Sequence, residues 1–193
     1  MFVFINRIRS FIINLPKRIK FVAAKYLGLG NGVQAWGVYS LFVNGKFVEE
    51  CWNLLPTEGL NHLLDVGLSG GAQDTSWHLT LYKTNIAPAA GWTAANFHAT
   101  AAEINTTTEV DEANRPAWSD GGVASGQVDN YASKADFTVA VASISVWGAA
   151  LLSTNTFQGT SGVLMSATKF SAVQTLAEDS VLSVGYRVAL TSS

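Results

Sequence analysis

The dipeptide Asn44-Gly45 most constrains the fold, because it separates two runs rich in aromatic and β-branched residues, Val33–Val43 and Lys46–Trp52. A two-residue type I′ turn requires positive φ at both central positions, which Asn and Gly tolerate better than other residues. The sequence therefore predicts a β-hairpin with Asn44 and Gly45 at its tip.

Other segments alternate apolar and polar residues with the period of a strand. The alternation changes parity near Ala142-Ser143, which predicts a β-bulge or a turn there. The remaining strand candidates are Trp77–Tyr82, Ala135–Leu152, Gly162–Ser166 and Leu182–Leu190. In Trp77–Tyr82 the alternation predicts a strand with one buried face. Successive strands without helices between them are typical of a sandwich. We therefore expect a mainly β fold, a jelly-roll-like β-sandwich.

One short helix is expected within this β-rich sequence. Thr57 can cap a helix over Leu60–Val66, which would end at Gly67. Leu60, Leu63 and Leu64 then lie on one face of that helix.

Residues 84–135 have no strong period and are rich in Ala, Thr, Gly and Asp. A structureless run of that length is uncommon inside a compact domain. We therefore expect one or two short strands in it, for example Glu103–Val110, and an exposed loop near Asp111–Gly122.

The first thirty residues carry half of the twelve basic residues of the chain, and no acidic residue precedes Glu49. All fourteen acidic residues thus lie in the rest of the chain. Apolar residues in the segment recur at the three-and-four spacing of an amphipathic helix, which Pro16 would kink. These patterns predict two parts, a basic amphipathic N-terminal arm of residues 1–30 and a β-sandwich body of residues 31–193.

Four interpretations compete for the arm. A transmembrane helix is disfavoured because the longest uncharged stretch, Ser10–Pro16, is far shorter than a span. A secretory signal is disfavoured because charges flank the apolar residues on both sides. An in-plane membrane helix and an arm docked on another protein both fit, and charge and periodicity do not separate them. We rank the docked arm first, with Arg7, Arg9, Phe11, Lys17, Arg18, Lys20 and Lys25 as its contact residues.

Motifs for catalysis are absent from the sequence. It contains no P-loop, GxGxxG, HExxH or GxSxG pattern. His62, His78 and His98 are scattered, and the only cysteine, Cys51, is best interpreted as a small buried apolar residue. We expect no catalytic residue, cofactor or metal site, and therefore not an enzyme.

An acidic cluster comprises Glu109, Asp111, Glu112 and Asp120. Carboxylates in a Gly-flanked loop could bind calcium, but the spacing of an EF-hand is missing. A solvated acidic loop is the favoured interpretation.

Tryptophan is abundant, with six residues. Trp36, Trp77 and Trp147 lie in expected strands and are candidates for the core or a subunit interface. Trp92 and Trp118 lie in expected loops, where they could contact a glycan or another partner. Packing of Trp92 and Trp118 beneath a long loop is the favoured alternative.

The order of several short motifs resembles a group of small virion structural proteins of tailed bacteriophages, similar to capsid decoration or cement proteins. The resemblance covers residues 54–190 and includes a Thr-Glu-Gly-Leu-Asn-x-Leu-Leu-Asp helix and an Asn-Arg-Pro-x-Trp segment. The matching segments are Thr57–Asp65, Trp77–Leu81, Asn114–Trp118, Lys134–Phe137, Gly148–Ser153 and Gly162–Ser166.

The resemblance implies a component of the virion at the capsid surface, made in the host cytoplasm. It implies docking on the major capsid protein and a homo-oligomer, a trimer in several such proteins, and it supplies no catalytic or binding residue. Charged residues make up only 13% of the chain, against about 25% in a typical domain, which favours a surface covered by neighbours. The net charge of −2 argues against direct nucleic-acid binding, and membrane contact is expected only through residues 1–30. The alternative is a tail, head-fibre or host-surface module that binds glycan.

Overall fold

The computed structural model describes residues 33–105 and 108–192, so the arm and its seven contact residues lie outside the described residues. Residues Trp36–Ala189 form one compact unit, and the described residues Val33–Ala35 and Leu190–Ser192 lie outside it. The described part is mainly β and forms two sheets. Its elements are β1 (Val33–Val43), β2 (Lys46–Trp52), α1 (Thr57–Leu64), β3 (His78–Tyr82), α2 (Ala94–Ala101), β4 (Gln127–Asp129), β5 (Ala135–Thr138), β6 (Ser143–Leu152), β7 (Leu164–Ala177) and β8 (Val181–Ser192).

The first sheet has the order β2-β1-β8-β4, and β5 also pairs with β8. The hairpin predicted from Asn44-Gly45 is confirmed, with φ of +49° at Asn44 and +76° at Gly45. Val43 pairs with Lys46 across the turn, and the register shifts between Leu41 and Phe42. Two positive φ angles match the right-handed twist of the flanking strands, which is why this turn joins them directly.

The second sheet has the order β3-β6-β7, with antiparallel pairing throughout. The parity change near Ala142-Ser143 is a turn: β5 ends at Thr138 in the first sheet and β6 begins at Ser143 in the second. The predicted strand Gly162–Ser166 overlaps the beginning of β7, which starts two residues later at Leu164 and continues to Ala177.

A single main core takes side chains from both sheets, as in a β-sandwich. Tyr39, Leu41 and Tyr186 come from the first sheet, and Leu81 and Leu151 come from the second. All five are almost fully buried. The two sheets therefore share one hydrophobic interior, which confirms the mainly β prediction.

The expectation that β3 has one buried face is wrong. Leu79 and Leu81 face the main core, but Thr80 and Tyr82 are buried as well. Tyr82 belongs to a second apolar cluster with Phe97 of α2. The helix α2 thus covers the face of β3 that the alternation assigned to solvent.

Helix α2 was not predicted, because the expected fold contained one helix. Thr93 caps it: its side chain accepts from the Asn96 N–H, and the Asn96 side chain accepts from the Thr93 N–H. This capping box satisfies two of the amide donors that a helix start leaves free. His98 therefore lies in a helix and not in the expected loop.

The boundaries of α1 also differ from the prediction. Pro56 occupies the N-cap position without a side-chain hydrogen bond, so Thr57 is the first helical residue and not the cap. After Leu64 the chain makes a π-helical turn over Asp65–Ser69, and Gly70 ends it with φ of +76°. A left-handed residue commonly terminates a helix, and here it falls three residues after the predicted end at Gly67.

Two strand predictions were only partly correct. The last strand is present as β8, but its alternation changes near the end, where Ala189 is buried and Leu190 is 49% exposed. In place of a strand over Glu103–Val110 there are isolated bridges, from Glu103 to Tyr82 and from Val110 to Val139.

Candidate functional site

Helix α1 contacts the body through its backbone and through Gly59. Gly59 is buried against the backbone carbonyl of Met165, and a Cβ at this position would overlap that oxygen. The Thr57 N–H donates to the carbonyl of Ala90 at 3.0 Å. Because Gly59 has no side chain, the inner side of α1 can lie close to β7.

Glu58 fixes the start of α1 by bonding two other parts of the chain. One carboxylate oxygen accepts from the backbone N–H of Ala94 at 2.8 Å and from that of Leu164 at 2.6 Å. Charge-assisted bonds of this kind are stronger than neutral ones. They connect α1 to the start of α2 and to the start of β7.

The leucine side chains of this region point away from the body. We call this group the leucine surface: Leu60 (43% exposed), Leu63 (36%), Leu64 (58%) and Leu68 (84%). The predicted helical face of three leucines exists, but it faces outward, since Gly59 lies on the inner side. Contiguous exposed apolar groups on a soluble protein commonly mark interaction sites.

A shallow depression of about 500 Å³ adjoins the leucine surface. Its walls include Asn61, His62, Leu64 and Asp65. The His62 Nε2 lies 3.5 Å from a carboxylate oxygen of Asp74, and its ring packs edge-on against Trp77. The surroundings of the leucine surface are therefore polar and partly acidic.

The loop that begins at Asp111 is attached to the body by a fully buried ion pair. The Arg115 guanidinium donates through Nε and Nη2 to the two carboxylate oxygens of Glu103, at 2.6 and 2.8 Å. Both side chains are 0% exposed. Thr80 Oγ1 and the Gln158 N–H donate to the same carboxylate, and Arg115 Nη1 donates to Thr154.

This ion pair is structural, because its hydrogen-bonding capacity is used internally. Four donors converge on the Glu103 carboxylate, so little capacity remains for a substrate proton. No local sequence pattern predicts this pair, apart from the presence of an arginine before Pro116. Glu103 and Arg115 meet only because the tertiary fold brings their segments together, and local sequence patterns do not determine such contacts.

The acidic cluster is less solvated than expected. Glu109 forms an ion pair with Lys83 and accepts from the Asn105 N–H at 2.8 Å. Glu112 accepts from the Thr138 N–H at 2.9 Å. Asp120 accepts from the Gly122 N–H. Over residues 33–105 and 108–192, no group of three or more His, Cys, Asp or Glu side chains converges as a metal site would require.

Cys51 is a buried residue with a weakly acidic thiol. Its Sγ donates to a carboxylate oxygen of Glu49 at 3.2 Å. Burial, and to a smaller extent this carboxylate, raises the pKa of Cys51 to about 12. The thiolate needed for nucleophilic chemistry is therefore disfavoured at neutral pH.

Two core tyrosines also serve packing. The rings of Tyr39 and Tyr186 lie 4.2 Å apart between centroids. The Tyr39 hydroxyl bonds Ser166 Oγ at 2.7 Å, and the Asn53 amide donates to the Tyr186 hydroxyl at 2.9 Å. Burial raises the pKa of both phenols, so they stay neutral at physiological pH.

The three histidines do not converge on one another or on Cys51. His78 Nδ1 lies 3.2 Å from the carbonyl oxygen of Arg115, and burial lowers the pKa of His78. In the described chain, His98 Nδ1 is buried without a hydrogen-bond partner. These positions favour separate structural roles for the imidazoles.

The two loop tryptophans have different environments. Trp92 is 5% exposed and packs edge-on against Tyr82 and Phe97, which favours packing in the interior over contact with a ligand. Trp118 is half-buried, and its Nε1 donates to the carbonyl of Tyr186 at 3.0 Å. Its other edge lines an open cleft.

No protein-family model matches the chain, and a search of curated proteins gives no significant match. Among the described helices, none is both long and apolar enough to span a bilayer.

Proposed function

We propose that the chain is a structural protein of a tailed-bacteriophage virion, a decoration or cement protein that docks on the major capsid protein and stabilises the shell. The body would be a jelly-roll version of the sandwich, and the molecule would act as a homo-oligomer, a trimer in the simplest case. It uses no cofactor in this role.

The observation that carries the proposal is the leucine surface. Three of its four leucines, Leu60, Leu63 and Leu64, belong to the segment Thr57–Asp65, on which the resemblance to virion proteins also depends. An apolar group that is costly to expose is best explained by a partner that covers it. We assign the major capsid protein as that partner because the resemblance concerns proteins that sit on it.

The internal use of polar groups supports a structural role over a catalytic one. The buried carboxylate and guanidinium pair with each other, and the buried phenols and the thiol are held neutral. Enzymes more often place groups with perturbed pKa values around an accessible cleft. Here those groups pack the interior.

The first test is the copy number of the protein in purified virions of the encoding phage, by calibrated mass spectrometry. Decoration predicts a fixed stoichiometry with the major capsid protein. Absence from virions would contradict a virion role altogether. A few copies per particle would instead favour the alternative, a tail, head-fibre or host-surface module.

The second test separates the leucine surface from the fold. Leu64→Ser with Leu68→Ser should leave the melting temperature nearly unchanged, because both side chains are mostly exposed, but should abolish incorporation into particles. Val173→Ser, at an exposed apolar position elsewhere, is the matched control and should be incorporated normally. Normal incorporation of the leucine variant would refute docking through this surface.

The third test addresses the arm. Removal of residues 1–30 should leave a folded body that joins particles poorly, since the six basic residues of the arm are then missing. Occupancy equal to that of the full chain would exclude a docking arm.

Sedimentation of the full chain tests the proposed homo-oligomer. A stable monomer would contradict it.

A further inference from the structure

A cleft of about 470 Å³ opens between the segment before β3 and the segment that leads into β4. Trp77 and Trp118 both line it, with Asp74 and Asp120 among its polar walls. All of these residues belong to the compact unit Trp36–Ala189. The volume falls within the usual range for small-molecule sites, roughly 300–1,000 Å³.

The two tryptophans are held in place by the fold. The Trp118 N–H donates to the carbonyl of Trp77 at 2.7 Å, next to the bridge between His78 and Ala117. Trp77 and Trp118 are therefore directly opposite each other on two paired antiparallel segments, and residues in that position project to the same side. Both rings also pack against the main core, so their exposed parts form preorganised aromatic walls.

The orientation of Trp118 is fixed further by its indole nitrogen. Nε1 donates to the Tyr186 carbonyl, so the polar atom of the ring is satisfied by the body. The part of Trp118 that lines the cleft is therefore apolar. A ligand would meet hydrocarbon there, as the C–H face of a sugar ring does when it packs on an aromatic ring.

The polar walls supply hydrogen-bonding groups that the protein leaves free. Gln73 and Thr75 are exposed and make no side-chain hydrogen bond to any part of the described chain. Asp120 uses one carboxylate oxygen for the Gly122 N–H, and the other is open. Carboxylate, amide and hydroxyl groups together can accept from and donate to sugar hydroxyls.

The charge of the cleft selects among ligands. The residues that line it include two aspartates and no lysine or arginine. An anionic ligand would meet repulsion, whereas a neutral one would not. A quaternary ammonium group could contact the aromatic rings. The cleft is much larger than such a group, and the group would form no hydrogen bonds with the polar walls.

We propose that this cleft binds a neutral saccharide, with sugar rings packed against Trp77 and Trp118 and hydroxyls bonded by Asp120 and Thr75. This goes beyond capsid docking, which requires no ligand. None of the four leucines of the leucine surface lines the cleft, so the two roles can be tested by separate substitutions.

The test uses the full-length protein on an array of neutral glycans, followed by calorimetric titration with the best hit, with maltose, lactose and N,N′-diacetylchitobiose also titrated. Asp120→Asn and Thr75→Ala should each weaken binding at least tenfold without changing the melting temperature, because both residues are exposed. Asp136→Asn, at an exposed carboxylate outside the cleft, is the control and should bind like the unmodified protein.

Three results would overturn the proposal. The first is no binding to any neutral glycan on the array or in titration. The second is binding that both cleft variants retain in full. The third is saturable binding of tetramethylammonium without sugar binding, which would assign the cleft to a quaternary ammonium ligand. Each result is independent of the particle assays, so failure here and failure of the capsid role are distinguishable.

Discussion

Glu103 and Arg115 form a bidentate ion pair in which neither side chain is exposed to solvent. The cost of taking two charges out of water is offset only when the geometry is good and the remaining donors and acceptors are satisfied. Here Thr80, Thr154 and the Gln158 backbone complete the set. The pair connects the chain around Glu103 to the loop of Arg115 and to the segment after β6.

Removal of one partner of this pair should strongly destabilise the fold. Glu103→Ala leaves a guanidinium buried without a counter-charge, and we expect a loss of about 3–5 kcal/mol in the free energy of unfolding. Urea denaturation followed by tryptophan fluorescence measures it. The double variant Glu103→Leu with Arg115→Met should recover much of that loss, because no unpaired charge remains.

The matched control for this prediction is the pair Asp129–Arg187, whose side chains are 25% and 33% exposed. Asp129→Asn should cost less than about 1 kcal/mol, since solvent screens an exposed pair. Equal losses from Glu103→Ala and Asp129→Asn would show that burial does not set the strength of these pairs.

Close packing of Tyr82 on β6 gives a second prediction. Gly148 lies against the Tyr82 ring and the Thr168 carbonyl, and a Cβ there would overlap both. Gly148→Ala should therefore lower stability by about 1–3 kcal/mol or more, through overpacking. The control is Gly91→Ala, where a Cβ meets no other atom and stability should barely change. Thermal unfolding of the two variants provides the comparison.

The turn at Asn44 gives a third prediction. Its side-chain Oδ1 accepts from the Val181 N–H at 2.9 Å while its backbone holds φ at +49°. Asn44→Ala removes the acceptor and disfavours the left-handed backbone, so we expect a loss of about 1–3 kcal/mol. Asn44→Asp retains an acceptor and tolerates the conformation, so it should lose less. A larger loss from Asp than from Ala would contradict this account.

How much of the fold the sequence predicted depends on whether its cause was local. Asn44-Gly45 determines its turn through the φ angles of two adjacent residues, so the hairpin was predictable to its ends. The periodicity of α1 placed its leucines on one face but did not show whether that face points toward the body or outward. That direction follows from contacts of Gly59 and Glu58 with β7, which lies about a hundred residues further along.

The candidate sites were harder to predict for the same reason. Trp92 and Trp118 look alike in the sequence, since both lie in Ala- or Gly-containing segments without strand periodicity. Their difference arises because the unpredicted helix α2 covers Trp92, whereas Trp118 pairs beside Trp77 at the cleft. A search for aromatic residues alone could not separate these two cases.

Alkaline pH should destabilise the protein through its buried phenols and thiol. Burial raises the pKa of Tyr39 and Tyr186 above the ordinary value, and that of Cys51 to about 12. Between the pKa of the unfolded chain and the raised folded pKa, the unfolded state has lost a proton that the folded state keeps. Stability is therefore fully present below the unfolded pKa values, about 8.5 for Cys and about 10 for Tyr, and falls as pH rises above them.

The slope of that fall should approach about 1.4 kcal/mol per pH unit for each group that is ionised only in the unfolded chain. Urea unfolding between neutral pH and about pH 11 measures this slope, with the unfolded Tyr value near 10 as the reference. Tyr39→Phe should be less stable at neutral pH, because the bond to Ser166 is lost, yet its stability should fall less steeply in alkali. An equal slope in Tyr39→Phe and the unmodified protein would mean that the Tyr39 phenol does not drive the alkaline transition.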